Sequence, residues 1–383
     1  MLLALTSSAF VLAACQGQDA GDSTPEEPGT EEEDTSTDEG TDDTATEDDN
    51  GEDTGDDTEA TDFEIAMITD EGGVDDRSFN QSAWEGMMEW AADNGYSGER
   101  GDGIEYYQSD DSADFVPNLN NALVDGYDII YGIGYLLLPA VNDVADQNPD
   151  QWFGIVDDIS DRDNVVSLTF RDHEAAFLAG VAAAHTTETG KVGFIGGIAG
   201  EVIDRFQTGF EAGVAHVDES IEVDVQYAES FGDAGIGTQI ADGMFTAGAD
   251  IIYHAAGAVG NGVFTSARNR LEADPDATIW TIGVDRDQED EGNWDGGNFM
   301  LTSTLKGVGA SVIMATDQAI EEGFPGGENL AYGLEEEGVD LVRGNMSDEA
   351  WEAVEEARQQ IIDGEIEVPE FTYSGPEAEE DSE

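Results

Sequence analysis

Acids, an aromatic ring and a lysine fall at points in this chain where they could hold a small molecule. The segment TDEGGVDDRSFNQSAWEG (69–86) sets Asp70, Phe79 and Asn80 among glycines, directly behind the apolar run Phe63-Glu64-Ile65-Ala66-Met67-Ile68. Asp157 closes WFGIVD, Asp285 closes TIWTIGVD, and Lys306 follows the strand-like NFMLTST at 298–304. An ionised carboxylate accepts hydrogen bonds and cannot donate them, so these acids suit a partner rich in N–H or O–H donors. Only one other lysine occurs, Lys191; it stands on the amino-end side of its strand, KVGFIGG, and reads as structural.

Bond-making chemistry has little support. His173, His185, His216 and His254 lack metal-ligand spacing, and His173-Glu174 runs into Ala-Ala-Phe, so it is not the H-E-x-x-H zinc motif. P-loop and Gly-x-Ser-x-Gly patterns are absent. GFIGGIAG (193–200) departs from the G-x-G-x-x-G spacing of dinucleotide folds. We therefore expect a protein that is not an enzyme and needs no cofactor or metal; a hydrolase working through aspartates is the remaining enzyme alternative.

The elements that must position these residues alternate regularly. FEIAMIT leads to SAWEGMMEWAADNG, IEYYQ to FVPNLNNALVDG and YDIIYGIG to LLPAVNDVADQNP. A second round runs from KVGFIGG through TIWTIGVD. Short strands that are apolar throughout, each followed by a helix, indicate parallel sheets covered on both faces. Two doubly wound α/β units follow, and ligands of such sheets bind outside the carboxyl ends of the strands. Glycines mark those ends at Gly132, Gly134, Gly196, Gly197, Gly257, Gly260 and Gly283. Ser78 and Gln81 form an S-x-x-Q capping box, which puts Phe79 at the first helical position. Trp84, Met88 and Ala91 then supply the buried stripe of that helix.

Charge bounds the partners. The 383 residues carry 89 acids against 12 bases, a formal charge of −77. Nucleic acid and anionic membrane surfaces call for clustered Lys and Arg, which this chain lacks, so no nucleic-acid partner is expected. Residues 16–62 hold only 21 of the acids, so the globular part is itself strongly acidic. Such self-repulsion is tolerable where salt shortens the Debye length to about 3 Å, near 1 M, which points to a salt-loving source. Residues 16–62, lacking Lys, Arg and aromatics, read as a disordered acidic tether, and 373–383 as a disordered acidic tail. Residues 1–15, MLLALTSSAFVLAAC, resemble a lipoprotein signal ending at the sole cysteine, although no Arg or Lys precedes the apolar core. Lipidation of Cys15 would anchor the chain on the outer face of the cell membrane.

The segment at 69–86 also resembles the signature of the basic membrane protein family, the purine nucleoside receptor lipoproteins of ABC importers. FGIVDD (153–158), ESFGD (229–233), HAAGAVGNGV (254–263), IGVDRDQ (282–288) and TSTLKGVGASV (302–312) agree with that family in order, and the likeness covers about 63–372. The resemblance implies a type I periplasmic-binding-protein fold of two Rossmann-like lobes joined by a three-stranded hinge. Crossings near 170, 285 and 325 would assign 63–170 plus 286–323 to lobe 1 and 171–285 plus 324–372 to lobe 2. It further implies a nucleoside ligand, with a purine favoured, whose base lies between Phe79 and Phe231. Asp70 and Asp157 match positions on the purine edge, with Asn80 beside them; Gly257, Asp285 and Lys306 match positions around the ribose. Lys306 is expected to neutralise Asp285. The partners implied are the importer's permease subunits, and the receptor is expected to be a monomer. A sugar receptor and a signalling receptor of the same fold are the alternatives.

Overall fold

The computed structural model describes residues 62–371. The leader with Cys15, the acidic segment as far as Thr61 and the tail at 373–383 lie outside the described residues. Within them, no helix is long and apolar enough to cross a membrane.

Two six-stranded sheets carry the fold. The first is built from β1 (Ile65–Ile68), β2 (Ile104–Tyr107), β3 (Ile129–Ile133), β4 (Trp152–Val156) and β5 (Val165–Phe170). Its helices are α1 (Phe79–Asp93), α2 (Phe115–Asp125) and α3 (Leu138–Gln147). The second sheet is built from β6 (Lys191–Gly196), β7 (Glu222–Tyr227), β8 (Ile251–Ala255) and β9 (Trp280–Gly283). Helices α4 (Asp172–Thr186), α5 (Glu201–Val217), α6 (Ala234–Thr246) and α7 (Val259–Ala273) accompany it. After a short hairpin, β10 (Asn293–Trp294) and β11 (Gly297–Asn298), the chain makes β12 (Met300–Lys306), α8 (Val308–Glu321), β13 (Asn329–Tyr332), β14 (Val339–Leu341) and α9 (Asp348–Ile362). β1, β3 and β8 are buried along their whole length. Apolar residues on both faces of a strand are stable only where helices cover both, and parallel neighbours need a helical crossover between them.

Strand order is β13-β5-β4-β3-β1-β2 in the first sheet and β14-β12-β9-β8-β6-β7 in the second. Within these two sheets all pairings are parallel except β14 with β12. The expected lobe boundaries are therefore corrected. β12 pairs with β9 and so stays in the second lobe, whereas β13 pairs with β5 and returns to the first. The chain passes between lobes after Phe170, after Lys306 and after Tyr332, not near 285 and 325. Composition gave no warning, because 286–306 reads equally well as either lobe's strand until its partner is known.

Helix α1 also differs in detail. Its buried face is Ala83, Gly86, Met87, Trp90 and Ala91, while Met88 points outward at 38% exposure and Trp84 is only partly buried. A spacing of four and three fits 83-87-90 as well as 84-88-91, and the close approach of α8 decides between them: a Cβ on Gly86 would lie 2.3 Å from Cα of Gly309. The capping box is not made. The Ser78 side chain makes no cap bond, and the Asp76 carboxylate instead accepts from the backbone N–H of Ser78 (2.8 Å), Asn80 (2.9 Å) and Gln81 (3.1 Å). A carboxylate has the lone pairs to take three of the orphan donors of a helix start, which a single hydroxyl lacks.

Candidate functional site

A cleft of about 520 Å³, counting space open to solvent, lies where the carboxyl ends of both sheets face each other. Each wall follows from strand polarity. Asp70 comes just after β1, Gly134 and Tyr135 after β3, and Asp157 after β4. Ala255 and Gly257 stand at the end of β8, Asp285 just after β9 and Lys306 at the end of β12. Phe79, the first residue of α1, and Phe231, in the loop before α6, enter the same space.

Close approach sets both rings. Gly134 adopts φ 111°, and a Cβ there would lie 3.4 Å from the Phe79 ring and 3.5 Å from Asp70 Oδ2. Phe231 lies on Gly197, where a Cβ would come within 2.1 Å of the ring, and Tyr135 meets it edge-on with centroids 6.2 Å apart. Asp157 and Asp285 take left-handed backbone angles, φ 71° and 68°, which cost about 1–3 kcal/mol each in a residue other than glycine. Such outliers at strand ends persist where the surrounding packing over-determines them.

Lys306, 3% exposed, holds the charge balance. Its Nζ lies 2.7 Å from Asp157 Oδ1 and 3.0 Å from Asp172 Oδ1, and about 5 Å from the ring centroids of Phe79, Phe170 and Phe206. Arg205 stands behind, its Nε 3.6 Å from Asp172 Oδ2. The expectation that Lys306 neutralises Asp285 is corrected: its direct partners are Asp157 and Asp172, and Asp285 instead accepts from the Ser78 hydroxyl. Burial alone would lower the lysine's pKa, but Asp157, Asp172 and Asp285 outweigh it and hold the ammonium above its ordinary value.

For the carboxylates burial prevails, and their pKa values are raised as well. Burial pushes Asp70 up to about 7, against hydrogen bonds from the Gly72 N–H (2.8 Å) and the Asn80 amide (2.6 Å), both to Oδ1. Asp285 is pushed up to about 7 by burial, with Lys306 and Ser78 pulling it down. Burial also raises Asp157 despite its lysine, and Asp76 despite its cap bonds.

Seven of the eight expected ligand-binding residues line the cavity: Asp70, Phe79, Asp157, Phe231, Gly257, Asp285 and Lys306. Asn80 does not. It is 1% exposed and fully used behind the wall, donating to Asp70 and Asp76 and accepting from the Asp70 N–H (3.2 Å). Sequence reasoning missed Asp76, Tyr135, Phe206 and Asp172. Tyr135 was findable, since it follows a glycine that marks a strand end; Asp172 and Phe206 sit on helices of the second lobe and carry no local signal.

A family model described as "ABC transporter substrate-binding protein PnrA-like" matches residues 63–372. The "CD4+ T-cell-stimulating antigen" of Listeria innocua is 49% identical over 326 residues, covering 83% of this chain and 91% of that protein. The "ABC transporter nucleoside-binding protein BmpA" of Lactococcus lactis is 46% identical, covering 81% and 90%. The crystal structure of an ABC transporter solute-binding protein from Aeropyrum pernix aligns with a TM-score of 0.69 at 26% identity, over 80% of this chain and 94% of that one.

Proposed function

Because the chain belongs to the PnrA-like family of ABC transporter substrate-binding proteins, we propose that its cavity captures a nucleoside, purine in preference, for delivery to an importer's permease. The observation that carries this reading is the convergence, in one cavity, of Phe79 and Phe231 with the carboxylates of Asp70 and Asp285. Two aromatic rings accommodate a flat base, and stacking contributes about 1–3 kcal/mol per base. Acceptor-only carboxylates suit base N–H groups and the two hydroxyls of a ribose. In this reading the Asp70 Oδ2 side, beside Phe79, takes the base edge and Asp285 takes the ribose. Asp157 and Lys306 hold each other and set the shape and potential of the wall. A nucleotide fits poorly, since its phosphate would be buried among carboxylates whose single lysine is already paired.

Capture is a closure of two lobes about the three crossings, and the closed form docks on the permease. Membrane attachment is through a diacylated Cys15 on the outer face, with the acidic segment as tether. No bond of the ligand is made or broken.

Calorimetric titration with adenosine, guanosine, inosine, ribose and glucose in multimolar KCl tests the reading. Nucleosides bind and free sugars do not; ribose or glucose binding without nucleosides would overturn it. Phe79→Ala weakens nucleoside binding about 5- to 150-fold, the equivalent of losing one stacking partner.

A further inference from the structure

We propose that Gln288 is a positioning residue that latches the two lobes over the bound ligand. The inference rests on the reading of the lobes as a closing pair. Gln288 does not line the cavity, is 3% exposed, and follows β9 in the second lobe. Its side-chain Oε1 accepts from the backbone N–H of Val284 (2.9 Å), the residue before Asp285. Its Nε2 donates to the backbone carbonyl of Arg77 (2.8 Å), the residue before Ser78 in the first lobe. Val284 offers only a donor and Arg77 only an acceptor at these points, so a single orientation of the amide satisfies both.

The surroundings are built for this bridge. A Cβ on Gly283 would lie 2.6 Å from Gln288 Oε1, so only glycine lets the amide reach Val284. The Gln288 backbone N–H is tied to Ser303 Oγ on β12 (3.1 Å), fixing the side chain's base in the second lobe. Both residues next to the cross-lobe bond of Ser78 to Asp285 are conformationally special: Arg77 has φ 63° and Asp285 itself φ 68°. One amide thus holds, from opposite lobes, the two turns that present Ser78 and Asp285 to each other.

The two bonds of Gln288 behave differently when the lobes part. The bond to Val284 stays within one lobe, whereas the bond to Arg77 exists only in the closed form. An interaction made only after closure slows ligand escape and leaves the encounter rate nearly untouched. Asp285, a cavity wall, is thereby linked to closure through its own neighbour.

Hydrogen exchange followed by mass spectrometry, with stopped-flow binding of inosine, both in multimolar KCl, tests the latch. In Gln288→Met, amide exchange in the closed protein rises about threefold or more in 72–82 of the first lobe as well as in 283–290, and inosine dissociates about tenfold faster with little change in association rate. Gln288→Glu keeps the acceptor for Val284 and loses the donor to Arg77; it gives the same pattern in 72–82 and serves if the methionine variant does not fold. A rise confined to 283–290, or a loss seen in association rate alone, overturns the latch. If the wild type binds no nucleoside, the nucleoside reading falls, and the exchange of 72–82 still decides the latch.

Discussion

At the scale of single residues, Lys306 separates structural need from ligand contact. Removing its charge leaves Asp157 and Asp172 buried side by side with only Arg205 near, and an uncompensated buried charge costs about 3–5 kcal/mol. Lys306→Met is therefore expected to lower the urea midpoint strongly, whereas Phe79→Ala, which truncates a half-buried ring, lowers it much less. The raised carboxyls set the pH dependence. Asp70 and Asp285 titrate near 7 when folded, above the unfolded value of 3.8, so between about pH 4 and 7 the folded state holds more protons than the unfolded one. Their contribution to stability is present below pH 4 and is lost as pH rises through 7. A ligand that donates hydrogen bonds to these carboxylates favours their charged form and lowers both values. Nucleoside binding at pH 6 should then release protons, and affinity should rise from pH 6 to 8; calorimetry in buffers of differing ionisation enthalpy reads both. Proton uptake at pH 6 would mean that the carboxyls donate to the ligand instead.

At the scale of elements, the site depends on how closely two helices approach. α1 begins at Phe79 and α8 begins just after Lys306, and the pair meets through Gly86 and Gly309. Gly86→Ala drives a methyl into the Gly309 backbone, and overpacking of this kind costs about 1–3 kcal/mol. Thermal unfolding should fall by several degrees, and nucleoside affinity should fall with it as Phe79 and Lys306 move apart. What was legible in the sequence has the same physical division. Strand ends announce themselves through apolar runs followed by glycine or aspartate, so Asp70, Asp157, Asp285 and the Gly134 turn could be placed in the crevice from the chain alone. Phe231 was reached only through family resemblance, which also singled out Gly257 from the several glycines that mark strand ends. Helix faces are ambiguous to one residue when a 4-3 spacing fits two registers, which is why Met88 was expected inside and Met87 is there. Pairings across a hundred residues, such as Lys306 with Asp157 and β13 with β5, leave no local trace, and the lobe boundaries failed for that reason.

At the scale of the whole molecule, charge decides where the protein is stable. With 89 acids against 12 bases, repulsion acts between lobes as well as within them. Closure brings two acidic bodies together, and the pairs that cross the cleft run both ways: Arg77 of the first lobe to Glu291 of the second, and Arg286 of the second to Glu85 of the first (3.1 Å). These pairs are partly exposed, so each contributes little and is itself weakened by salt, whereas repulsion among the many carboxylates is larger in sum and acts over longer distances. The Debye length falls from about 10 Å at 0.1 M to about 3 Å at 1 M, so salt removes the long-range repulsion first. Added KCl should therefore raise the unfolding temperature and tighten nucleoside binding, the reverse of its effect on a complex held by surface ion pairs. Most of the gain should fall below about 1 M, because screening is by then shorter than the spacing of the surface acids. Thermal scans and titrations from 0.1 to 3 M KCl, with equimolar sucrose as a non-ionic control, measure it. An equal gain in sucrose would assign the effect to exclusion of solute from the protein surface instead of to charge.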